Sequence, residues 1–296
     1  MSQAPALDFD RMFDSAAGAA EQLSPQVRRV LCGNPGPYTF TGTCTYIVGH
    51  GTVAVIDPGP DDADHLAALL RALQGETVSH ILVTHSHADH SPLAARLKAE
   101  TGARTYGQGR VAAPDQGALR LDAGIDHDFA PDHRLANGEV IEGQGWRLEA
   151  LFTPGHMSNH LCFALSGEDA LFSGDHVMSW ATSVIAPPDG DMGQYFDSLR
   201  KLMPRNDAVY YPGHGPARRD PQRLVRGFLA HRKMREGAIL ERLKAGDRTI
   251  PAIVAALYAQ VDPRLHGAAG LSVKAHLDHL AAQGLVRQTE GHYEAC

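Results

Sequence analysis

Three imidazoles and a carboxylate fall within six residues at His85-Ser86-His87-Ala88-Asp89-His90. Neutral imidazole and carboxylate are the donors that zinc and similar borderline divalent cations favour. In an extended turn His85 and His87 point the same way and can hold one cation, while Asp89 and His90 swing towards a neighbouring position. Three more short stretches place His or Asp after a turn that ends an apolar run: Thr153-Pro154-Gly155-His156, Ser173-Gly174-Asp175-His176 and Tyr211-Pro212-Gly213-His214-Gly215-Pro216. Glycine at these places lets the backbone turn sharply enough to aim the next side chain inward. One His after Pro-Gly is an ordinary surface turn. Four such stretches in order are a metal-site pattern.

The elements that must position these residues are legible around them. Val78 to Thr84 is rich in Val, Ile and Leu and reads as a buried strand, so the first cluster lies at a strand's C-terminal end. Ser91 followed by Leu93, Ala94 and Leu97 predicts a capped amphipathic helix. Val27 to Leu31 is expected to be a first strand, and Tyr46–Val48 and Val53–Asp57 a hairpin turning at Gly49-His50-Gly51-Thr52. Leu66, Leu69, Leu70 and Leu73 repeat at helical spacing, with Asp61 or Asp62 as cap. Trp146–Thr153, Leu161–Leu165 and Ala170–Ser173 read as antiparallel strands, Tyr195–Leu202 as a helix and Ala208–Tyr211 as another strand. Residues 107–133 show no period, although a helix fits Gly109–Leu121. Strands and helices in two rough halves, with His/Asp motifs at strand ends, predict an α/β fold, a four-layer αββα sandwich with its site along one sheet edge.

The 296 residues are enough for one large core and a small appended domain. At 43% hydrophobic and 21% charged the composition is that of a soluble globular protein. A formal net charge of -7 excludes a generally nucleic-acid-binding surface. Cys32, Cys44, Cys162 and Cys296 make no CxxC pair, so neither a structural zinc site nor a disulfide framework is expected. Met1 to Leu23 lacks the signature of a signal peptide and no apolar run approaches membrane-spanning length, which predicts a cytoplasmic protein without membrane partners.

Composition shifts at Pro221. A long basic helix to about Lys244, helices over Ile250–Tyr258 and Leu271–Gln283, and a closing hairpin near Gly284–Tyr293 outline a winged-helix unit. Residues 217–296 hold 13 Lys+Arg against 8 Asp+Glu, whereas the remainder holds 14 against 26. That asymmetry points to an anionic partner near the tail, or to a solvated helical face or homodimer contact. The expected organisation is an N-terminal extension over 1–24, the sandwich over 25–220 and the winged-helix-like domain over 221–296.

In its ordered motifs the chain resembles the metallo-β-lactamase superfamily of hydrolases across roughly residues 27–216. The resemblance implies two divalent metal ions, zinc with iron or manganese as alternatives. One would be held by His85, His87 and His156 and the other by Asp89, His90 and His214, with Asp175 bridging. It implies a metal-bridging hydroxide that attacks an ester-type bond, with Asp89 as the catalytic residue orienting it. Asp57, ending its own strand, is expected to fix a ligand imidazole from behind or to cap a helix. His160, His176, Trp180 and Ser183 are candidate substrate contacts, the two histidines and His50 having structural roles as alternatives.

Asn34-Pro35-Gly36, Thr41-Gly42-Thr43-Cys44-Thr45-Tyr46, Tyr211 to Pro216 and the tail further resemble the β-lactamase-like protein 2 group. That group includes single-stranded-RNA endoribonucleases and hydrolases acting on thioesters. Cys44 stands where the group usually has Asn. The substrates implied are single-stranded RNA or a small-molecule ester or thioester, the latter as in glyoxalase-II-like enzymes. A true β-lactamase and a non-enzymatic, metal-bearing winged-helix protein are the remaining alternatives.

Overall fold

The computed structural model describes residues 7–111, 124–260, 262 and 266–296. Among these, seven strands form one sheet in the order β1(Ala20–Ser24), β2(Val27–Leu31), β3(Cys44–Val48), β4(Thr52–Ile56), β5(Thr77–Leu82), β6(Arg104–Gly107) and β7(His133–Arg134). Pairing is antiparallel up to β4 and parallel from β4 onward. The second sheet has six strands, β8(Val140–Gly143), β9(Trp146–Phe152), β10(Leu161–Leu165), β11(Ala170–Gly174), β12(Val209–Pro212) and β13(Arg218–Arg219).

Side-chain alternation sets the layers. Tyr46, Val48, Ile56 and Leu82 of the first sheet meet Leu148, Phe163, Phe172 and Tyr211 of the second in a buried inter-sheet core. Ile47, Val55 and Ile81 point the other way, onto α1(Ala63–Ala72) and α2(Leu93–Thr101). Cys162, Leu171 and Tyr210 likewise pack against α3(Met192–Leu202) and the first turns of α4(Pro221–Lys244). The result is the expected αββα sandwich. A separate core of Ile239, Ile253, Val273, Leu277 and Tyr293 joins α4 to α5(Ile250–Leu257), α6(His266–Ala282) and the hairpin β14(Val286–Thr289)–β15(His292–Ala295). No described helix is long and apolar enough to cross a membrane.

Several local readings differ. Ala20–Ser24 is an edge strand on β2, and its polar sequence suits an edge with half-exposed side chains. Ser91 does not cap α2: its hydroxyl bonds the Asp126 carboxylate at 2.6 Å, and Pro92 occupies the cap position. At α1 the cap is Asp62, whose carboxylate accepts from the Asp64 and His65 amides. Helix α6 begins at His266, ahead of the expected Leu271, because Gly267 and Gly270 obscure its first turn. The helix expected over Gly109–Leu121 falls mostly outside the described residues.

His65 on α1 is 3% exposed and its Nε2 lies 2.8 Å from Thr45 Oγ1. Burial pushes its pKa down to about 4. In the unfolded chain a histidine titrates near 6.5. The neutral ring's contribution is therefore complete above about pH 6.5 and is lost as pH falls towards 4, by at most about 1.4 kcal/mol per pH unit. His65→Gln should be less stable than the parent at pH 7, and the gap should shrink on acidification to pH 4.5. Denaturation midpoints that stay parallel over that range would contradict the assignment.

Candidate metal centre

All the motifs singled out as donors converge on one edge of the sandwich. His85, His87, Asp89 and His90 follow β5, His156 follows β9, Asp175 follows β11 and His214 follows β12. The two sheets are tied there: Thr43 bridges His214, and the Cys44 amide donates to the Gly213 carbonyl at 2.8 Å. The Leu161 amide donates to the Thr84 carbonyl at 2.7 Å. Strand ends from both sheets are thereby fixed relative to one another.

Three overlapping groups of buried donor atoms, each within 4.8 Å, can hold a metal ion: His85, His87 and His156; His85, His90 and Asp175; Asp89, His90 and His214. His87 Nδ1 lies 2.9 Å from His85 Nε2 and 3.1 Å from His156 Nε2. On the other side, the Nε2 atoms of His90 and His214 face each other at 3.3 Å. Asp175 stands between the groups, one oxygen 3.6 Å from His90 Nε2 and the other 3.7 Å from His156 Nε2 and 3.4 Å from His214 Nε2. Gly213 makes that position available, because a Cβ there would sit 2.4 Å from Asp175 Oδ1. Asp175 Oδ1 is buried and has no hydrogen-bond partner among the described residues. A buried carboxylate oxygen left unbonded beside crowded imidazole nitrogens fits a cation site.

The nitrogen of each ring that faces away from the cluster decides whether its lone pair points inward. His90 Nδ1 is 3.0 Å from Asp57 Oδ2, His156 Nδ1 is 2.5 Å from the Val184 carbonyl and His214 Nδ1 is 3.2 Å from the Gly42 carbonyl. His85 Nδ1 is 2.9 Å from Thr84 Oγ1, which itself donates to Asp57 Oδ2 at 2.7 Å. Since the threonine proton is committed to Asp57, the hydroxyl accepts from His85. Asp57 thus orients His90 directly and His85 through Thr84, and its Oδ1 also accepts from the Thr84 amide at 2.7 Å. Its helix-cap alternative does not occur, because Asp62 caps α1.

The cluster's electrostatics follow from burial and mixed charge. Burial alone would depress His90, but Asp89, Asp175 and Asp57 lift it to about 9. Against the same burial, Asp175 and Asp89 raise His214 well above the ordinary histidine value. His85 has imidazole neighbours, and burial drives it well below that value. Burial opposes ionisation of Asp89 and Asp175, yet His90 and His214 hold both below the usual carboxylate range.

The four candidate substrate contacts separate. His160 is fully buried: Thr153 Oγ1 meets its Nδ1 at 2.9 Å and its Nε2 accepts from the Asp175 amide at 3.2 Å. It positions the Asp175 backbone and does not reach a substrate. His176 is also fully buried, packed edge-on against Tyr195 with ring centroids 4.9 Å apart, and burial pushes it down to about 3. Ser183 is buried with its hydroxyl donating to the His176 carbonyl at 2.8 Å. Trp180 is partly exposed, stacked on Phe40 with centroids 4.9 Å apart and seated over Gly215. His50 is remote from the cluster and contacts the Pro25 carbonyl. Cys44 lies in the inter-sheet core, its Sγ 3.8 Å from the Gly215 carbonyl, so the departure from Asn changes packing beneath His214.

The sequence names Asn34 and Thr43 only as parts of motifs and Thr84 only as a strand end, without the roles that the structure gives them. Asn34 Oδ1 accepts from the Thr43 amide at 2.9 Å, and Thr43 Oγ1 lies 3.5 Å from Asp89 Oδ2. Thr84 abutting His85 was the available signal. The carbonyls of Val184 and Gly42 leave no side-chain signature at all.

Residues 37–214 match the Metallo-beta-lactamase superfamily and residues 249–293 match the Beta-lactamase associated winged helix domain. The lactamase-like protein adaB of Aspergillus niger is 31% identical over 268 residues, 84% of this chain and 78% of that protein. The beta-lactamase-like protein 2 homolog of Drosophila melanogaster is 31% identical over 285 residues, covering 91% and 92% of the two chains. An atrochrysone carboxyl ACP thioesterase of Cryptosporiopsis is 35% identical over 232 residues, 76% of this chain but 65% of the thioesterase. Among solved structures, a metallo-beta-lactamase family protein of Thermus thermophilus shares the fold with a TM-score of 0.77 at 23% identity, covering 93% of this chain and all of that one.

Asp57 has φ near +50°, a left-handed conformation that Asn also tolerates. Asp57→Asn should therefore keep the backbone but turn an amide NH2 towards one of the donors on Thr84 or His90. Divalent-cation affinity, measured by chelator competition, is expected to fall about 10- to 100-fold. Unchanged affinity would show that this carboxylate does not tune the site.

Proposed function

The chain belongs to the metallo-beta-lactamase superfamily and is a hydrolase, and from that premise we propose that it is a two-metal hydrolase of acyl thioesters. The carrying observation is Asp175 standing between two sets of buried donors. His85, His87 and His156 would hold one cation and Asp89, His90 and His214 the other, with Asp175 within reach of both sets. Zinc is the proposed occupant, and iron and manganese suit the same donors. Bound there, two such cations supply nucleophilic hydroxide at neutral pH and polarise an acyl carbonyl.

The chain's own contribution is orientation and exposure. His85, His90 and His214 are almost wholly buried, whereas His87, Asp89, Asp175 and His156 keep 6%, 7%, 7% and 8% exposure. Substrate therefore approaches the face formed by the latter four. Asp89, held ionised, is an acceptor there and orients the attacking water through its carboxylate. Asp57 and the Val184 and Gly42 carbonyls meet the outer ring nitrogens, so the inner nitrogens are the ones that a cation would take, displacing any proton they carry.

The thioesterase relatives and a largely apolar cavity, whose lining includes the His156 partner Val184, support thioesters as the substrate class. Single-stranded RNA is the second reading. It is favoured by the basic tail, where Arg223, Arg226 and Lys233 are exposed along α4.

Purified protein is expected to carry two metal equivalents per chain and to cleave octanoyl-N-acetylcysteamine. His87→Ala should lose one equivalent and roughly a hundredfold or more of the turnover. Labelled single-stranded RNA and a chromogenic cephalosporin run alongside decide between substrate classes: RNA cutting without thioester cleavage would replace the thioester reading. Full activity of the variant with both metals retained would remove the site assignment itself.

A further inference from the structure

A cavity of about 390 Å³ lies on the seam between the two domains. One wall is the segment 180–184 that follows Asp175, the opposite wall is α4 with the ends of α5 and α6, and Tyr38 closes a side. Val184 links its lining to the metal centre, the Val184 carbonyl meeting His156 Nδ1 on the ring edge away from the other donors. Its size is that of a small-ligand pocket, and none of the described residues lining it is acidic.

The lining nevertheless contains two arginines. Arg232 is 4% exposed and no carboxylate lies within ion-pair distance among the described residues. Its Nη2 donates to the Ser183 carbonyl, its Nη1 lies 3.5 Å from Ser272 Oγ, its guanidinium lies 5.5 Å from the Tyr195 ring centroid and its Nε has no hydrogen-bond partner among the described residues. Arg235 lies over the Tyr258 ring, 4.4 Å from the centroid, a stacking that leaves the edge of its guanidinium available. Trp180 also lines the cavity, and its Nε1 is buried without an acceptor among the described residues. A buried cation without a counter-charge is costly unless something else supplies the anion. Planar guanidinium groups suit a carboxylate in particular.

We propose that this cavity is the acyl subsite and that Arg232 and Arg235 select acyl groups carrying a carboxylate at the end remote from the thioester. The apolar walls, including Met178, Val184 and Ala269, take the chain between that carboxylate and the scissile carbonyl. This inference rests on the thioester reading for its reaction, though not for the binding itself.

The test compares suberyl- and octanoyl-N-acetylcysteamine, which differ only in the terminal carboxylate, with the corresponding coenzyme A thioesters run beside them. The suberyl compound is expected to be favoured about tenfold or more in kcat/KM, chiefly through KM. In Arg235→Gln that ratio should collapse towards one, and Arg232→Lys, checked for folding by its thermal midpoint, should shrink it too. Equal kcat/KM for the two compounds, or a ratio unmoved in Arg235→Gln, would overturn the proposal. So would arginine-dependent binding seen only with the coenzyme A thioesters, which would transfer the anion to the phosphate-bearing arm. Calorimetric titration of the protein with free suberate separates the two levels. Binding that weakens in Arg235→Gln without any thioester turnover would sink the reaction and leave the subsite standing, and no suberate binding would sink the subsite.

Discussion

A single buried carboxylate holds the first site-forming strand end in place. Asp57 terminates β4 and accepts three hydrogen bonds, from the Thr84 amide, the Thr84 hydroxyl and His90 Nδ1, at 2.7, 2.7 and 3.0 Å. Because β4 and β5 run parallel, their C-terminal ends lie side by side, and that adjacency brings Asp57 under the His85–His90 turn. A slip of one residue in this pairing would turn Asp57 to the other face and leave its charge buried and unbonded. The register of the sheet and the orientation of two imidazoles are thus one constraint.

The rest of the centre extends that logic to the second sheet. Gly213 leaves room for Asp175, and Gly155, with φ near +138°, lies where a Cβ would come within 2.4 Å of the Tyr195 backbone. The first contact lets the turn after β12 close on Asp175 and on His90 of the first sheet's cluster, and the second seats the turn after β9 on α3. His160, out of reach of solvent, holds the Asp175 amide and is in turn held by Thr153. Polar groups that would be costly to bury alone are satisfied in chains running outward from the centre.

Much of this was legible in the sequence, because donors at strand ends carry a side-chain signature. The apolar run before His85, the Pro-Gly and Ser-Gly turns and the composition shift at Pro221 located the sandwich, the cluster and the tail. What could not be read has a common physical origin. Val184 and Gly42 act through main-chain carbonyls, which any residue presents. His160 and His176 lie close in sequence to donors, but only packing puts them below the surface. Ser91 looked like a helix cap until Asp126, 35 residues away, claimed its hydroxyl. The seam cavity joins residues 180–184 to 231–235, a long-range pairing with no periodicity to announce it.

The bond between His156 and the Val184 carbonyl separates two kinds of change. It depends on the path of the 180–184 segment and not on the side chains it carries. Residues along that segment can be exchanged, and the shape and polarity of the adjoining cavity altered, while the imidazole keeps its anchor. The shape of that cavity is therefore free to drift among descendants of this scaffold while His156 keeps its place, a separation that lets one fold carry different surroundings about the same donors.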